Sequence, residues 1–225
     1  MNYVKQLLIG GVVGFIGAYL LMTVATMDLS IYTNTMVIGL YIIVFMLLGW
    51  SFILHRQIKK LSRSDFQGEE EDEANALMYR KNSDYSLFAQ SGLVIAILAL
   101  SIAVITNQSL PLILIGIVMV IASYWFSVFF IRLARTVYPE RNLPKFSDPK
   151  YAENLLEAAD DGEKYVILLG LYKSYNLLNI ILIFAIIGST GYSIATGKSQ
   201  IFSIVLMSIA LLLVNGRYLL AIRNK

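Results

Sequence analysis

The placement of charge is the feature that most constrains how this chain folds. Of its 18 lysine and arginine residues, all but Lys198 lie in two long connections or near the two termini, and long uncharged stretches separate them. Hydrophobic residues make up 57% of the chain and charged residues 15%, whereas roughly a quarter of a soluble domain is charged. An integral membrane protein is therefore the expected class.

The uncharged stretches predict six transmembrane helices, because a helix crosses the hydrocarbon core with roughly 20 residues. The longest stretch, 85–131, is interrupted by a polar turn followed by Pro111, which predicts two crossings within it. The predicted spans are about 6–27, 34–54, 86–106, 111–131, 174–196 and 201–222. We predict an all-α polytopic membrane protein, a single membrane domain over 1–225 with three helical hairpins and short cytosolic amphipathic helices.

The connections between the spans predict the orientation. Residues 55–85 and 132–173 form long connections that begin with basic residues and contain most of the lysines and arginines, and the remaining connections are short. The positive-inside rule places both long loops and both termini in the cytoplasm. A cleaved signal peptide is the alternative for the first span, but Val24-Ala25-Thr26 is a poor cleavage site and the apolar stretch exceeds about 15 residues. The compact, cysteine-free chain favours a bacterial cytoplasmic membrane.

A shift of 90 residues aligns the second hairpin with the third. Tyr85 then meets Tyr175, Glu73 meets Glu163, and the turn at 106–109 meets the turn at 196–199. Matching turns and matching acidic segments favour an internal duplication, while shared apolar composition alone is the alternative. A parallel repeat of hairpins is compatible with a transporter and equally with growth of the gene.

The residue inventory argues against most kinds of active site. There is no cysteine and one histidine, His55, which excludes thiolate chemistry and makes a histidine-based metal site or a serine–histidine relay improbable. The acidic run Glu69–Glu73 resembles a metal cluster by count, but consecutive acids on a helix point in all directions, so we predict a solvated charge run. We expect no catalytic residue, cofactor, metal site or direct nucleic-acid partner.

Polar residues near the inner ends of the last two spans are the strongest candidates for a site, because polar groups within a membrane are costly and often functional. The alternative for Arg217 is an interfacial anchor whose guanidinium reaches the head groups. The predicted polar cleft comprises Tyr172, Asn176, Asn179, Asn215 and Arg217.

Small residues on the first span predict close helix packing, either within the fold or at a homodimer seam. They are Gly10, Gly14, Gly17 and Ala18.

A short cytosolic helix is predicted after Ser147-Asp148-Pro149, a cap residue followed by proline at the first helical position. Its apolar stripe includes Tyr151, Leu155 and Leu156, which would pack on the protein's own cytosolic surface or dock a partner. The basic residues beginning each long loop, such as Arg56 and Lys59, either anchor the topology or bind anionic lipid head groups.

The segments Tyr151–Leu156, Asp161–Glu163 and Gly170–Tyr175 resemble those of a family of six-span membrane proteins from Gram-positive bacteria that is described as a domain of unknown function. The resemblance implies location and topology, and assigns no activity to any residue. The occurrence of such genes beside small regulators or transporter genes favours an accessory or regulatory role.

Most of the non-membrane mass is predicted to face the cytoplasm. We therefore expect a non-enzymatic membrane protein that acts through its cytosolic loops on a cytosolic regulator or a transporter subunit. The alternative is a small-molecule exporter or a bacteriocin-immunity protein that uses a cleft between the repeated hairpins.

Overall fold

A computed structural model describes residues 32–64, 66, 68–137 and 148–223. This part of the chain is helical and contains no strand, which confirms the all-α prediction for it. Its helices are α1 (Thr33–Leu61), α2 (Glu69–Ile105), α3 (Leu110–Val137), α4 (Tyr151–Glu157), α5 (Asp161–Thr196) and α6 (Ile201–Arg223). The first predicted span and its small residues Gly10, Gly14, Gly17 and Ala18 lie outside the described residues.

Five of the described helices, all except α4, contain a segment long and apolar enough to cross a membrane. Their most apolar windows have mean hydropathies between 2.0 and 2.5. The turns between them lie where the sequence predicts, since α2 ends one residue before Thr106 and α6 begins directly after Gln200. The described part of the chain is therefore compatible with a membrane protein.

Two helices continue far beyond their predicted spans. Helix α2 begins at Glu69 rather than near residue 86, and α5 begins at Asp161 rather than near residue 174. Each is about 55 Å long at a rise of about 1.5 Å per residue, whereas the hydrocarbon core is about 30 Å thick. Much of each long connection is thus a rigid helical extension, because residues such as Glu, Ala, Leu and Met favour helix whether or not the segment is apolar.

The described residues divide into two compact units, one ending at Asp160 and the other beginning at Asp161. The first contains α1–α4 and the second contains the α5–α6 hairpin. The single-domain organisation stays a prediction.

A seam of small residues on α2 allows α1 to pack closely against it. The seam recurs at alternating intervals of three and four residues, the spacing of one helix face in coiled-coil packing. Four of its alanines are completely buried, and they face α1 residues at the same spacing, of which Val37 and Val44 are also fully buried. The seam comprises Ala89, Gly92, Ala96, Ala99 and Ala103.

Two tyrosines link the helices of this unit through backbone carbonyls. The hydroxyl of Tyr41 on α1 donates to the carbonyl oxygen of Leu112 on α3, at 3.1 Å. The hydroxyl of Tyr85 on α2 donates to the carbonyl oxygen of Phe126 on α3, at 2.8 Å. Gly116 makes room for the first bond, because a Cβ at this position would overlap the Tyr41 hydroxyl.

The α5–α6 hairpin is much less buried. In their most apolar windows, a third of the residues of α1 are buried, and none of those of α5 or α6. The large apolar side chains of this hairpin, such as Phe184 and Leu212, are mostly exposed.

Candidate functional site

A cluster of polar side chains joins α5 to α6. The hydroxyl of Tyr175 donates a short hydrogen bond to Oδ1 of Asn215. The Nδ2 group of Asn215 donates to Oδ1 of Asn179 at 2.6 Å and to the carbonyl oxygen of Leu211 at 2.8 Å. Nδ2 of Asn179 donates to the carbonyl oxygen of Tyr175 at 2.9 Å. We call Tyr175, Asn179 and Asn215 the hairpin cluster.

The position of the hairpin cluster follows from helical geometry. Tyr175 and Asn179 are four residues apart and so lie on one face of α5, one turn from each other. Asn215 reaches across from α6, and Tyr218, one turn further along α6, places its ring 4.7 Å from that of Tyr175. The three members of the cluster are half-buried.

The bonding within the cluster limits its chemistry. Both amide N–H groups of Asn215 donate, and its oxygen accepts from Tyr175, so this side chain is fully engaged. The cluster offers amides and a phenol and contains no carboxylate or imidazole that would act as a general base near neutral pH. It can hold two helices together, or exchange its internal bonds for bonds to a polar ligand.

The structure brings two of the five predicted cleft residues into direct contact, Asn179 and Asn215. The other three, Tyr172, Asn176 and Arg217, have exposed side chains. Tyr175 is a member of the cluster that the prediction from polarity missed. The internal repeat was the signal for it, since Tyr85 and Tyr175 align there.

The hairpin α2–α3 carries an equivalent contact. Tyr85 corresponds to Tyr175 under the 90-residue shift, and it also donates from the first helix of its hairpin to the second. The acceptor differs, since Tyr85 bonds to a backbone carbonyl and Tyr175 to a side-chain amide. Ala89, which corresponds to Asn179, has no side-chain polar group, so the amide pair distinguishes α5–α6 from its counterpart.

The turns at 106–109 and 196–199, which the sequence predicts to face outward and which we call the outer turns, also correspond in detail. The Thr106 hydroxyl donates to the Ile102 carbonyl, and the Thr196 hydroxyl donates to the Tyr192 carbonyl, both at 2.8 Å. The next residue in each turn has a positive φ, 51° at Asn107 and 68° at Gly197. Glycine and asparagine tolerate this left-handed conformation best.

The predicted docking helix is present as α4, but its predicted start is wrong. The helix begins at Tyr151, with Lys150 as the capping position, rather than at Pro149. The Asp148 carboxylate accepts bonds from the Lys150 N–H at 2.9 Å and from the Asn154 side chain at 2.8 Å, so it organises the approach to the helix.

The apolar stripe of α4 is partly covered. Leu156 is half-buried and Ala159, just beyond the helix, is buried. The side chains of Tyr151 and Leu155 lie outside the described part of the structure. Docking of a partner on this stripe stays a prediction.

The basic end of α1 lines a separate open cavity of about 390 Å³. The acidic run that begins α2 is exposed at Glu69, Glu70, Glu71 and Glu73. Among the described residues, no group of three histidine or acidic side chains lies close enough together to hold a metal ion.

A family model described as "Protein of unknown function (DUF3169)" matches residues 1–222. No curated protein and no solved structure matches the chain.

Proposed function

The chain belongs to the DUF3169 family, a family of unknown function, and from that starting point we propose that it is a six-span protein of a Gram-positive cytoplasmic membrane. Residues 6–27 form the first span, and both termini face the cytoplasm. The protein acts without catalysis, as an accessory or regulatory subunit that engages a cytosolic or membrane protein through its cytosolic segments.

The observation that carries this proposal is the one-sided extension of α2 and α5. Both helices project from the end of their hairpin opposite the short outer turns, and both extensions contain the acidic and basic residues of the long connections. The outer turns, 106–109 and 196–199, are too short to form a binding domain. A protein partner is therefore reached from the basic side, which the positive-inside rule assigns to the cytoplasm.

The extension of α5 also presents an exposed apolar surface outside its predicted span. Tyr165–Tyr172 is an uninterrupted run without charge, flanked by Lys164 and Lys173, and every residue in it is exposed. Leu168 is 54% exposed and Leu171 60% exposed. Exposed apolar surface of this kind marks an interaction site, and its place before residue 174 favours a protein over the hydrocarbon core as its cover.

The orientation is tested by single cysteines in this naturally cysteine-free chain. Lys198→Cys, in the last outer turn, is expected to react with a membrane-impermeant maleimide on intact cells. Lys164→Cys, at the start of α5, is expected to react only after permeabilisation. The opposite pattern would reverse the proposed orientation, and labelling of both sites on intact cells would contradict the six-span arrangement.

The partner is tested by affinity purification from native membranes in mild detergent, with quantitative mass spectrometry of the proteins that co-elute. A stoichiometric protein is expected to be lost with Leu168→Asp, because a carboxylate at this exposed position opposes apolar docking. Leu77→Asp, the same change at an exposed site on the α2 extension, is the matched control. Elution of the chain alone, or equal retention of the partner by both variants, would contradict the proposal.

An exporter or a bacteriocin-immunity protein is the second candidate, favoured by the hairpin cluster. Amide groups within a predicted span supply exchangeable hydrogen bonds for a polar solute. The double variant Asn179→Ala with Asn215→Ala would then raise sensitivity to the exported compound, tested against a panel of antimicrobial peptides and small cations. Thr190→Ala, which removes an exposed hydroxyl from the same helix, is the control.

A further inference from the structure

The C-terminal end of α1 and the turn after it carry a group of cationic side chains. Lys59 and Lys60 follow Arg56 by three and four residues within α1, the spacing of neighbours on a helix surface, and Arg63 lies two residues beyond the end of the helix at Leu61. All four are exposed, while Leu54 and Ile58, on the opposite face of α1, are buried in the core that α1 forms with α2 and α3. The cationic face is therefore held at a fixed position by the packing behind it.

These four side chains, with Ser64, line the open cavity of about 390 Å³. Among the side chains that the structure describes, none of the four is in an ion pair; the ion pair described is Lys164–Asp161, on α5. The acidic residues at the start of α2, Glu70 and Glu73, line a different cavity, of about 720 Å³. Among the described residues, positive charge thus converges on a space whose lining contains no carboxylate.

Neighbouring contacts order this end of the helix. The Arg56 guanidinium carbon lies 4.5 Å above the centre of the Phe52 ring, a cation–π arrangement. The Lys81 ammonium on α2 donates to Oε1 of Gln57 at 2.6 Å, which joins the C-terminal part of α1 to α2. The Ser64 hydroxyl donates to the Lys60 carbonyl at 3.2 Å.

The predicted position of the cavity relative to the membrane matches that of the phosphate groups of a lipid leaflet. In the proposed membrane arrangement the span of α1 ends at Leu54, which puts the cationic face directly beyond the hydrocarbon core. Trp50 and Phe52 are exposed just before it, as aromatic residues are at membrane interfaces. An anion bound here is repelled by the partial negative charge at the C-terminus of α1, but this charge is only about half a unit. The attraction of the anion to four cationic side chains is therefore larger than this repulsion.

We propose that this cavity binds the phosphate of an anionic phospholipid head group. The inference rests on the proposed membrane orientation for its cellular meaning, in which the lipid belongs to the inner leaflet. Its chemistry is a phosphodiester held by guanidinium and ammonium groups, with Arg56 and Arg63 as the geometric clamps and Lys59 and Lys60 as point charges.

The test is native mass spectrometry of the purified full-length chain, titrated with phosphatidylglycerol or with phosphatidylcholine. The wild-type chain is expected to retain phosphatidylglycerol preferentially. The triple variant K59Q/K60Q/R63Q is expected to bind it about a hundredfold more weakly, because each basic residue near anionic lipid contributes about 1 kcal/mol and about 1.4 kcal/mol corresponds to a factor of ten. Because these side chains are exposed, the variant is expected to keep the melting temperature of the wild type.

Two further variants distinguish a specific binding site from attraction by the total positive charge of the protein. The control K164Q/K173Q/R223Q removes three cations from the other unit, of which Lys173 and Arg223 are exposed, and is expected to leave phosphatidylglycerol binding unchanged. K59R/K60R keeps the charge and is expected to bind as the wild type does. Equal weakening by the control would mean that total charge drives binding, and the proposal would be wrong.

Three other results would overturn the proposal. Equal retention of phosphatidylcholine, or undiminished binding by K59Q/K60Q/R63Q, overturns the proposal. Displacement of phosphatidylglycerol by millimolar inorganic phosphate would assign the cavity to a soluble anion instead of a lipid. Since lipid binding is measured on purified protein, its failure is distinct from a failure of the cysteine-labelling test of orientation.

Discussion

The hairpins α2–α3 and α5–α6 have the same arrangement of helices and turn, and they differ in the side chains that pack between and around their helices. Both contain a long first helix, an outer turn with a left-handed residue, and a tyrosine that bonds across to the second helix. The first hairpin presents an alanine- and glycine-rich seam and is covered by α1. The second has Asn179 in place of Ala89 and Ser189 in place of Ala99 at corresponding positions, and its large apolar side chains are mostly exposed. The same backbone arrangement therefore serves tight apolar packing in one unit and a polar cluster in the other.

The largest difference between the two hairpins is expected from one substitution made at corresponding positions. Ala99→Leu inserts three carbons into the completely buried seam between α1 and α2, which is expected to destabilise the protein by about 3 kcal/mol. Ser189→Leu, at the corresponding half-buried site of α5, is expected to change stability by less than about 0.5 kcal/mol. The measurement is thermal unfolding in detergent, and similar losses at both sites would mean that α5 is packed as tightly as α2.

Gly116 gives the next largest expected effect. Gly116→Ala would overlap the Tyr41 hydroxyl and approach the Leu100 side chain at 2.9 Å, so we expect a loss of about 1–3 kcal/mol. Gly216→Ala, on α6, has open space around it and is expected to be neutral or slightly stabilising.

The double variant Gly116→Ala with Tyr41→Phe sharpens this test, because it removes the overlapping hydroxyl. It is expected to recover part of the lost melting temperature. No recovery would show that the close contact of α1 with α3 does not depend on this tyrosine.

The hairpin cluster is expected to give a smaller effect. Asn215→Ala removes the acceptor of the Tyr175 hydroxyl and the donor to Asn179, and interhelical hydrogen bonds in membranes contribute about 0.6–2 kcal/mol each. Tyr85→Phe, in the other hairpin, is expected to lose less, since the Phe126 carbonyl is a backbone group with a second lone pair for its own helix. A double-mutant cycle of Tyr175→Phe with Asn215→Ala measures the coupling directly, and a coupling of zero would exclude the bond as a source of stability.

The sequence predicts the ends of these helices at the turns well because polar turn residues interrupt apolar stretches there, as at Thr106 and Thr196. It does not predict how far the helices continue beyond the opposite ends of the predicted spans, because helix propensity continues where hydrophobicity stops, so that α2 extends back to Glu69 and α5 to Asp161. Asn179 and Asn215 stand out from sequence as polar residues in apolar runs.

The contacts that these residues make are not visible in sequence. The pairing of Asn215 with both Tyr175 and Asn179 depends on the depth at which α6 meets α5, which residue spacing within one helix does not specify. For the same reason, Arg217 and Asn176 share the predicted depth of the cluster and still have exposed side chains. Tertiary placement between helices decides which polar residues meet.

The smallest expected effects test the correspondence of the two outer turns. Asn107 and Gly197 both have positive φ, so replacement of either by alanine forces a Cβ-bearing residue without a polar side chain into the left-handed region. We expect each variant to lose about 0.5–1 kcal/mol, whereas Asn107→Gly is expected to be neutral or slightly stabilising. Thermal unfolding of the three variants side by side makes the comparison. A loss at one turn only would show that the two turns have the same backbone shape but that only one of them needs a residue suited to positive φ. The resemblance between the hairpins would then be limited to their backbone path.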